Sequence, residues 1–357
     1  MKRWMFFIFV ILIIFLSTGC TENLKIINPI DPNSIEDMKV FPITLKYCLV
    51  DTLHEIYQAN IFDVERRKEF YENSDQWGQN HYDWLVNTYE EMPSEMKKNL
   101  TNAFNDMSMW TLMNNLSKLD NGANLEEIKT LINSIKYTIN QNGKRALLYI
   151  IDDFYYDYFK AYYEDNLTIF ESLAEDMTVE LSSYDSPVDI ISEYSGIYLG
   201  EKKCAFYYTL RKVGAYLFQI DNVTISTLQY NASKPQYIFR AALHENSHPF
   251  FQTFTKTSKF EDLAKRVKSI EPFYNFWNDN ESIKSFYSWT SFLEENLVEG
   301  FAKFLSYKTF GETGNPTYYY DYPFCEFLIE KNYSPKKYTL EEISYMFYED
   351  ELKNYNK

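Results

Sequence analysis

Cysteine is scarce in this chain, with four in 357 residues, and its spacing excludes two common uses. No two of Cys20, Cys48, Cys204 and Cys325 have the CxxC spacing of a zinc or redox motif, and positions so far apart are no disulfide framework. Basic charge is also short: 35 Lys and Arg stand against 51 Asp and Glu, a net charge of −16. Nucleic acid is therefore not an expected partner, because binding phosphate needs a basic face. The chain shows no internal repeat and no repeated βαβ units, which argues against a solute-binding architecture. The 32 Tyr and 28 Phe, alongside abundant Asn, Lys and Ile, read as a compositional bias rather than as a sugar-binding surface.

The one long apolar run, Trp4 to Leu16, follows Lys2-Arg3 and leads into Leu16-Ser17-Thr18-Gly19-Cys20. A positive start, a short apolar stretch and small residues before a cut site describe a secretory signal peptide, and the run is short for a membrane span. The Cys after Thr-Gly resembles the bacterial lipobox, which implies a signal peptide at 1–19, lipid on Cys20 and an extracytoplasmic chain anchored to the bacterial membrane. The turn-rich, polar residues 20–35 read as a tether. A lipid-modified Cys20 leaves three cysteines, expected as buried thiols.

The remaining chain, about 340 residues, is long enough for two domains or one large one. Residues 36–185 read as a helical N-terminal region, with Leu45, Leu49, Leu53 and Ile56 at helical spacing. Further helices are expected over Tyr82–Glu91, Ser94–Leu116, Asn124–Gln141 and Arg145–Asp176, with breaks at Asn121-Gly122 and Asn142-Gly143. Residues 186–357 form the second region. Short segments at Gly196–Gly200, Cys204–Leu210, Gly214–Ile220 and Val223–Tyr230 carry strand signals and predict a small antiparallel sheet. Ser233-Lys234-Pro235 then offers a helix start.

That helix carries Ala241-Ala242-Leu243-His244-Glu245-Asn246-Ser247-His248-Pro249-Phe250. Residues four apart share a helix face, so His244 and His248 can present two imidazoles to one ion. Two imidazoles and a later carboxylate leave the fourth position of a zinc ion open to water, and Glu245 is placed to take that water's proton. Pro249 is expected to end or kink the helix just past the second ligand. With four His in the chain, His54 and His81 stand alone and read as structural. The third ligand is sought on Ser291–Leu305, where Leu293, Leu297, Phe301, Phe304 and Leu305 fit an amphipathic helix and Glu295 and Glu299 lie four apart. Periodicity leaves both carboxylates open.

These residues resemble the gluzincin branch of the zincin-like metallopeptidases, in which HExxH is followed by a ligand Glu on a downstream helix. Val298-Glu299-Gly300-Phe301-Ala302 is similar to the N-E-G-F-A segment of the aminopeptidase-type members, which implies Glu299 as ligand. Glu294-Glu295-Asn296-Leu297-Val298-Glu299-Gly300 is similar to the N-E-x-(Ile/Leu)-V-R-A segment of a bacterial secreted and lipoprotein family known only as a domain of unknown function. That family has HEFSHPF-like motifs, which His244–Phe250 matches more closely, and it implies Glu295. Glu299 then stands where that family has Arg, and where thermolysin-like enzymes have an Asp that orients a ligand His.

The resemblance implies an α+β, predominantly helical fold, with a zincin-like catalytic domain over 186–357 and the small antiparallel sheet ahead of the HExxH helix. It implies one zinc ion on His244, His248 and Glu295, or alternatively Glu299, with Glu245 as general base in hydrolysing a peptide or protein substrate. The competing expectation is a non-catalytic surface lipoprotein that uses a zincin-like scaffold to bind a peptide or envelope partner. The stretch Glu261–Tyr287 is expected as an inserted helical hairpin or a cleft wall, and Tyr318, Tyr319, Tyr320 and Tyr322 are oxyanion-stabilising candidates by location only.

Overall fold

A computed structural model describes residues 38–356, apart from positions 137, 138, 201 and 213 and the side chains of 282, 285 and 286. The expected signal peptide, Cys20 and the tether lie outside the described residues. The described chain clusters into two compact units, one of residues 38–181 with Lys203–Ser233, the other of Ser182–Lys202 with residues 234–356. The strand block therefore groups with the N-terminal helices, not with the helix that follows it.

The first unit opens with β1 (Met38–Phe41) and α1 (Leu45–Tyr57). Leu49, Leu53 and Ile56 have no exposed surface, and because Tyr47, Cys48 and Val50 are buried too, α1 is enclosed on every side. A π-helical turn, Gln58–Phe62, leads to α2 (Val64–Glu72) and α3 (Gln76–Glu91). The helix expected over Ser94–Leu116 is two, α4 (Ser94–Phe104) and α5 (Met109–Leu116). Ser108 starts the second by accepting a hydrogen bond from the Thr111 amide. Asn124 caps α6 (Leu125–Ser134) in a capping box with Glu127, and the helix ends short of the expected Gln141.

Gln141 instead begins α7 (Gln141–Phe154), because Asn140 accepts from the Asn142 and Gly143 amides and nucleates a new turn. A second π-helical turn, Tyr155–Phe159, joins α7 to α8 (Lys160–Leu181). In the other unit, α9 (Pro187–Ser195) ends at Gly196, whose φ of 69° is left-handed. Gly196–Gly200 is thus a helix terminus and loop where a strand was expected.

The sheet, back in the first unit, contains β2 (Lys203–Tyr208), β3 (Leu217–Ile220) and β4 (Val223–Leu228) in the order β1-β2-β4-β3. It is mixed, not antiparallel as expected: β1 and β4 both run parallel to β2, and β3 pairs antiparallel with β4. Local signals could reveal the β3–β4 hairpin, whose turn holds Asp221 at a φ of 51°. They could not reveal β1, which reaches β2 only after the whole helical stretch, the long crossover that parallel pairing requires. Cys48, Cys204 and Cys325 are buried free thiols, as expected.

The second unit is helical throughout its 234–356 portion. It comprises α10 (Pro235–Thr255), α11 (Ser258–Val267), α12 (Glu271–Asn278), α13 (Glu281–Phe286), α14 (Trp289–Phe310), α15 (Asp321–Glu330) and α16 (Leu340–Tyr355). Pro235 opens α10, but Pro249 does not close it; the helix runs on to Thr255. A proline inside a helix costs about 3 kcal/mol. Phe250, Phe251 and Phe254 beyond it are buried, and at about 1.5–3 kcal/mol each they outweigh that cost. The stretch from 261 to 287 is helical, but it falls on three helices, α11 to α13, where a two-helix hairpin was one of the expectations. Among the described residues no helix is long and apolar enough to cross a membrane.

Alpha-helix α14 is the spine of this unit, with Phe292, Leu293, Leu297, Val298, Phe301, Phe304 and Leu305 without exposed surface. Gly300 lets the start of α15 lie against it: a Cβ there would sit 2.5 Å from the Asp321 carbonyl oxygen. Gly300→Ala is expected to destabilise the protein by about 1–3 kcal/mol, even though alanine is the better helix former. Gly122→Ala, where a Cβ meets nothing within 4 Å, should change stability little. Urea unfolding of both variants checks the pair, and an unaltered midpoint for Gly300→Ala would contradict the close approach.

Candidate metal centre

Helices α10 and α14 run in opposite directions past each other. His244 meets Glu299, His248 meets Glu294 and Glu295, and Thr255 meets Glu294, so rising numbers on one helix meet falling numbers on the other. Four-residue spacing on both helices then sets two imidazoles against two carboxylates, Glu295 and Glu299, with Glu294 beside them. All are buried.

Each imidazole is held from behind. The Nδ1 of His244 lies 2.7 Å from Glu299 Oε2, and the Nδ1 of His248 lies 3.2 Å from Glu294 Oε1. A carboxylate on Nδ1 takes its proton as a hydrogen bond and leaves Nε2 as a bare lone pair. Both Nε2 atoms turn inward and lie 3.4 Å apart. Glu295 completes the set, its Oε2 3.5 Å from His244 Nε2 and its Oε1 3.6 Å from His248 Nε2.

The two sequence candidates for third ligand therefore have different surroundings. Glu299 has both oxygens engaged, Oε2 by His244 and Oε1 by Lys303 and Thr317. Glu295 Oε2 is buried with no hydrogen-bond partner. Among the described residues, His244, His248 and Glu295 are the group whose donor atoms lie close enough together to share an ion.

The donor set fits zinc. Ligands at about 2.0–2.2 Å from a tetrahedral ion stand about 3.3–3.6 Å from one another; the two Nε2 atoms are 3.4 Å apart, Glu295 approaches each imidazole with a different oxygen, and one donor atom from each of the three residues lies within 4.8 Å of the others. Paired imidazoles suit zinc better than the oxygen-seeking magnesium or calcium. The electrostatics point the same way. Burial opposes a charged His244, but the carboxylates Glu295, Glu299 and Glu245 around it outweigh that and raise its pKa well above the ordinary value. The same negative field would favour a cation at the Nε2 face in place of the proton. Burial also opposes ionised Glu294 and Glu299; the His248 hydrogen bond with those from Thr255 and Gln252 keeps the first low, and Lys303 with His244 the second.

Glu245 sits in the same field, buried, with neither oxygen hydrogen-bonded. Burial raises its pKa, offset by His244 and His248 and reinforced by Glu295 and Glu299. Of the tyrosines proposed by location, Tyr318 places its hydroxyl 3.3 Å from that of Tyr287, and Glu295 helps to raise the pKa of both. Tyr319 lies tilted and Tyr320 edge-on against Phe273, and the Tyr320 amide donates to Asn296, which marks both as packing residues. Tyr322 is half-buried, and its backbone amide donates to Asp321. His54 and His81 lie in the other unit: His54 packs against Phe104, and His81 bonds to Tyr162 and Glu55.

Sequence reasoning missed Glu294, Lys303, Tyr287 and Thr317. For Lys303 a signal existed, a lone cation among Phe301, Ala302, Phe304 and Leu305 and four residues after Glu299. Comparison with protein-family models, curated proteins and solved structures finds no match to this chain.

A buried carboxylate without partners destabilises the fold. With its folded pKa raised, Glu245 favours folding only when protonated, below its unfolded value, and opposes it once ionised at neutral pH. Glu245→Gln is therefore expected to stabilise the metal-free protein by about 1–3 kcal/mol at pH 7. Urea unfolding in chelator decides it, and a less stable variant would show that Glu245 is held by contacts.

Proposed function

We propose that this chain is a zinc-dependent peptidase of the bacterial cell surface. The observation that carries this reading is the convergence of His244 Nε2, His248 Nε2 and the Glu295 carboxylate, one donor atom of each within 4.8 Å of the others, beside a Glu245 that has no hydrogen-bond partner among the described residues. His244, His248 and Glu295 would hold the ion, and three protein ligands leave one position open, as hydrolytic sites do. When bound, zinc lowers the pKa of water toward neutrality and polarises a carbonyl.

The chain's own groups divide the remaining work. Glu299 and Glu294 keep the two imidazoles in the tautomer and orientation that expose Nε2. Glu245 is the base available to accept a proton from the attacking water and return it to the leaving amine, and burial brings its pKa up toward that task. The hydroxyls of Tyr287 and Tyr318, within the electrostatic reach of Glu295, are the phenol donors suited to a developing oxyanion. Substrate carbonyls and amines are the groups such a set acts on, hence a peptide or protein. The lipobox-like Leu16–Cys20 supports an extracytoplasmic, lipid-anchored location.

Purified protein with residues 1–19 removed is expected to bind close to one zinc, and His244→Ala to lose it. Glu245→Gln should retain zinc while peptide-library hydrolysis falls by roughly 10²-fold or more. Zinc uptake with no hydrolysis by wild type would favour the binding-scaffold reading; no zinc under replete conditions would end the metal reading. Labelled palmitate should enter the full chain expressed in bacteria and not the Cys20→Ala variant, and equal labelling would refute the lipid anchor.

A further inference from the structure

We propose that Lys303 is a positioning residue for the metal centre, a buried ammonium that holds Glu299 behind His244 and so leaves Glu295 as the carboxylate that faces the ion. The inference rests on the zinc reading above.

Lys303 has no exposed surface, and an unpaired ammonium cannot be buried without a large desolvation penalty. Its three donors meet three acceptors: Glu299 Oε1, Asp321 Oδ2 at 3.2 Å and Thr317 Oγ1 at 3.1 Å. Thr317 in turn donates its hydroxyl to Glu299 Oε1 at 3.0 Å and its amide to Asp321 Oδ2 at 2.7 Å. The ring of contacts closes on itself. Gly300 makes it possible, because only a residue without Cβ lets Asp321 approach α14.

Glu295 and Glu299 are both carboxylates near His244, so something has to distinguish them. Glu299 is drawn away from the Nε2 face by Lys303 on one oxygen and tied to Nδ1 by the other. Without the ammonium, Glu299 would lose its principal counter-charge and become a second free carboxylate competing for the ion and for His244. The same ammonium fixes Thr317, the residue before Tyr318, and so anchors the connection between α14 and α15 beside the site.

The test measures zinc affinity by chelator competition, together with the absorption spectrum of the cobalt-substituted protein, in wild type, Lys303→Met, Glu299→Gln and the double variant. Lys303→Met is expected to weaken zinc binding by roughly 10- to 100-fold and shift the cobalt bands. In the Glu299→Gln background, where the anion that links Lys303 to His244 is gone and Asp321 is the one left on the ammonium, Lys303→Met should add little to the loss of zinc affinity. Losses that simply add, or a Lys303→Met protein with wild-type affinity and spectrum, would overturn the proposal. Should Lys303→Met fail to fold, the double variant with Asp321→Asn added, which makes Lys303 and both of its carboxylate partners neutral, is compared with Glu299→Gln; a further large loss of affinity there counts against it. Wild type that takes up no zinc sinks the metal reading first, before any substitution is made.

Discussion

The contact between His244 and Glu299 is the constraint on which the second unit's organisation depends. It joins α10 to α14 through a charge-assisted hydrogen bond of 2.7 Å between buried groups. Such bonds are roughly twice as strong as neutral ones and sensitive to geometry. A one-residue slip between the helices would rotate each side chain by about 100° and leave ionisable groups buried without partners. Apolar packing of α14 supplies the drive to bury this helix pair, and the polar contacts along the seam select one register.

Four carboxylates, two imidazoles and an ammonium on one seam would be an expensive core without mutual satisfaction. Glu294 has three donors, Glu299 has three, and Lys303 has three acceptors. Glu245 and Glu295 are the exceptions, each with a buried oxygen that has no hydrogen-bond partner among the described residues. Unsatisfied buried groups are rare and cost stability, and two beside converging imidazoles are what the proposed metal site would account for.

Much of this was legible in the residues. HExxH spacing on a helix needs only 3.6-residue geometry, so the shared face of His244 and His248 followed without tertiary knowledge. Pairing Glu295 and Glu299 on a later helix was equally a matter of period. What periodicity could not do was rank them, since residues four apart on one face differ only in what lies opposite. Of the two outcomes expected at Pro249, an end or a kink, the helix does not take the first, because the buried phenylalanines beyond it hold the chain helical. The sheet went wrong in direction because β1 lies far from β2 in sequence, and no local signal reports a parallel partner at that distance.

The helical character, the buried thiols and the HExxH stripe depend on residues near one another in the chain, and so could be read from it. Which carboxylate faces the two Nε2 atoms, that Glu294 and Glu299 stand behind the imidazoles, and that Lys303 reaches Glu299 came only from the folded chain. Those contacts join α10, α14 and the start of α15, where about 3 Å separates bonded groups and the order of residues along the chain carries no record of them.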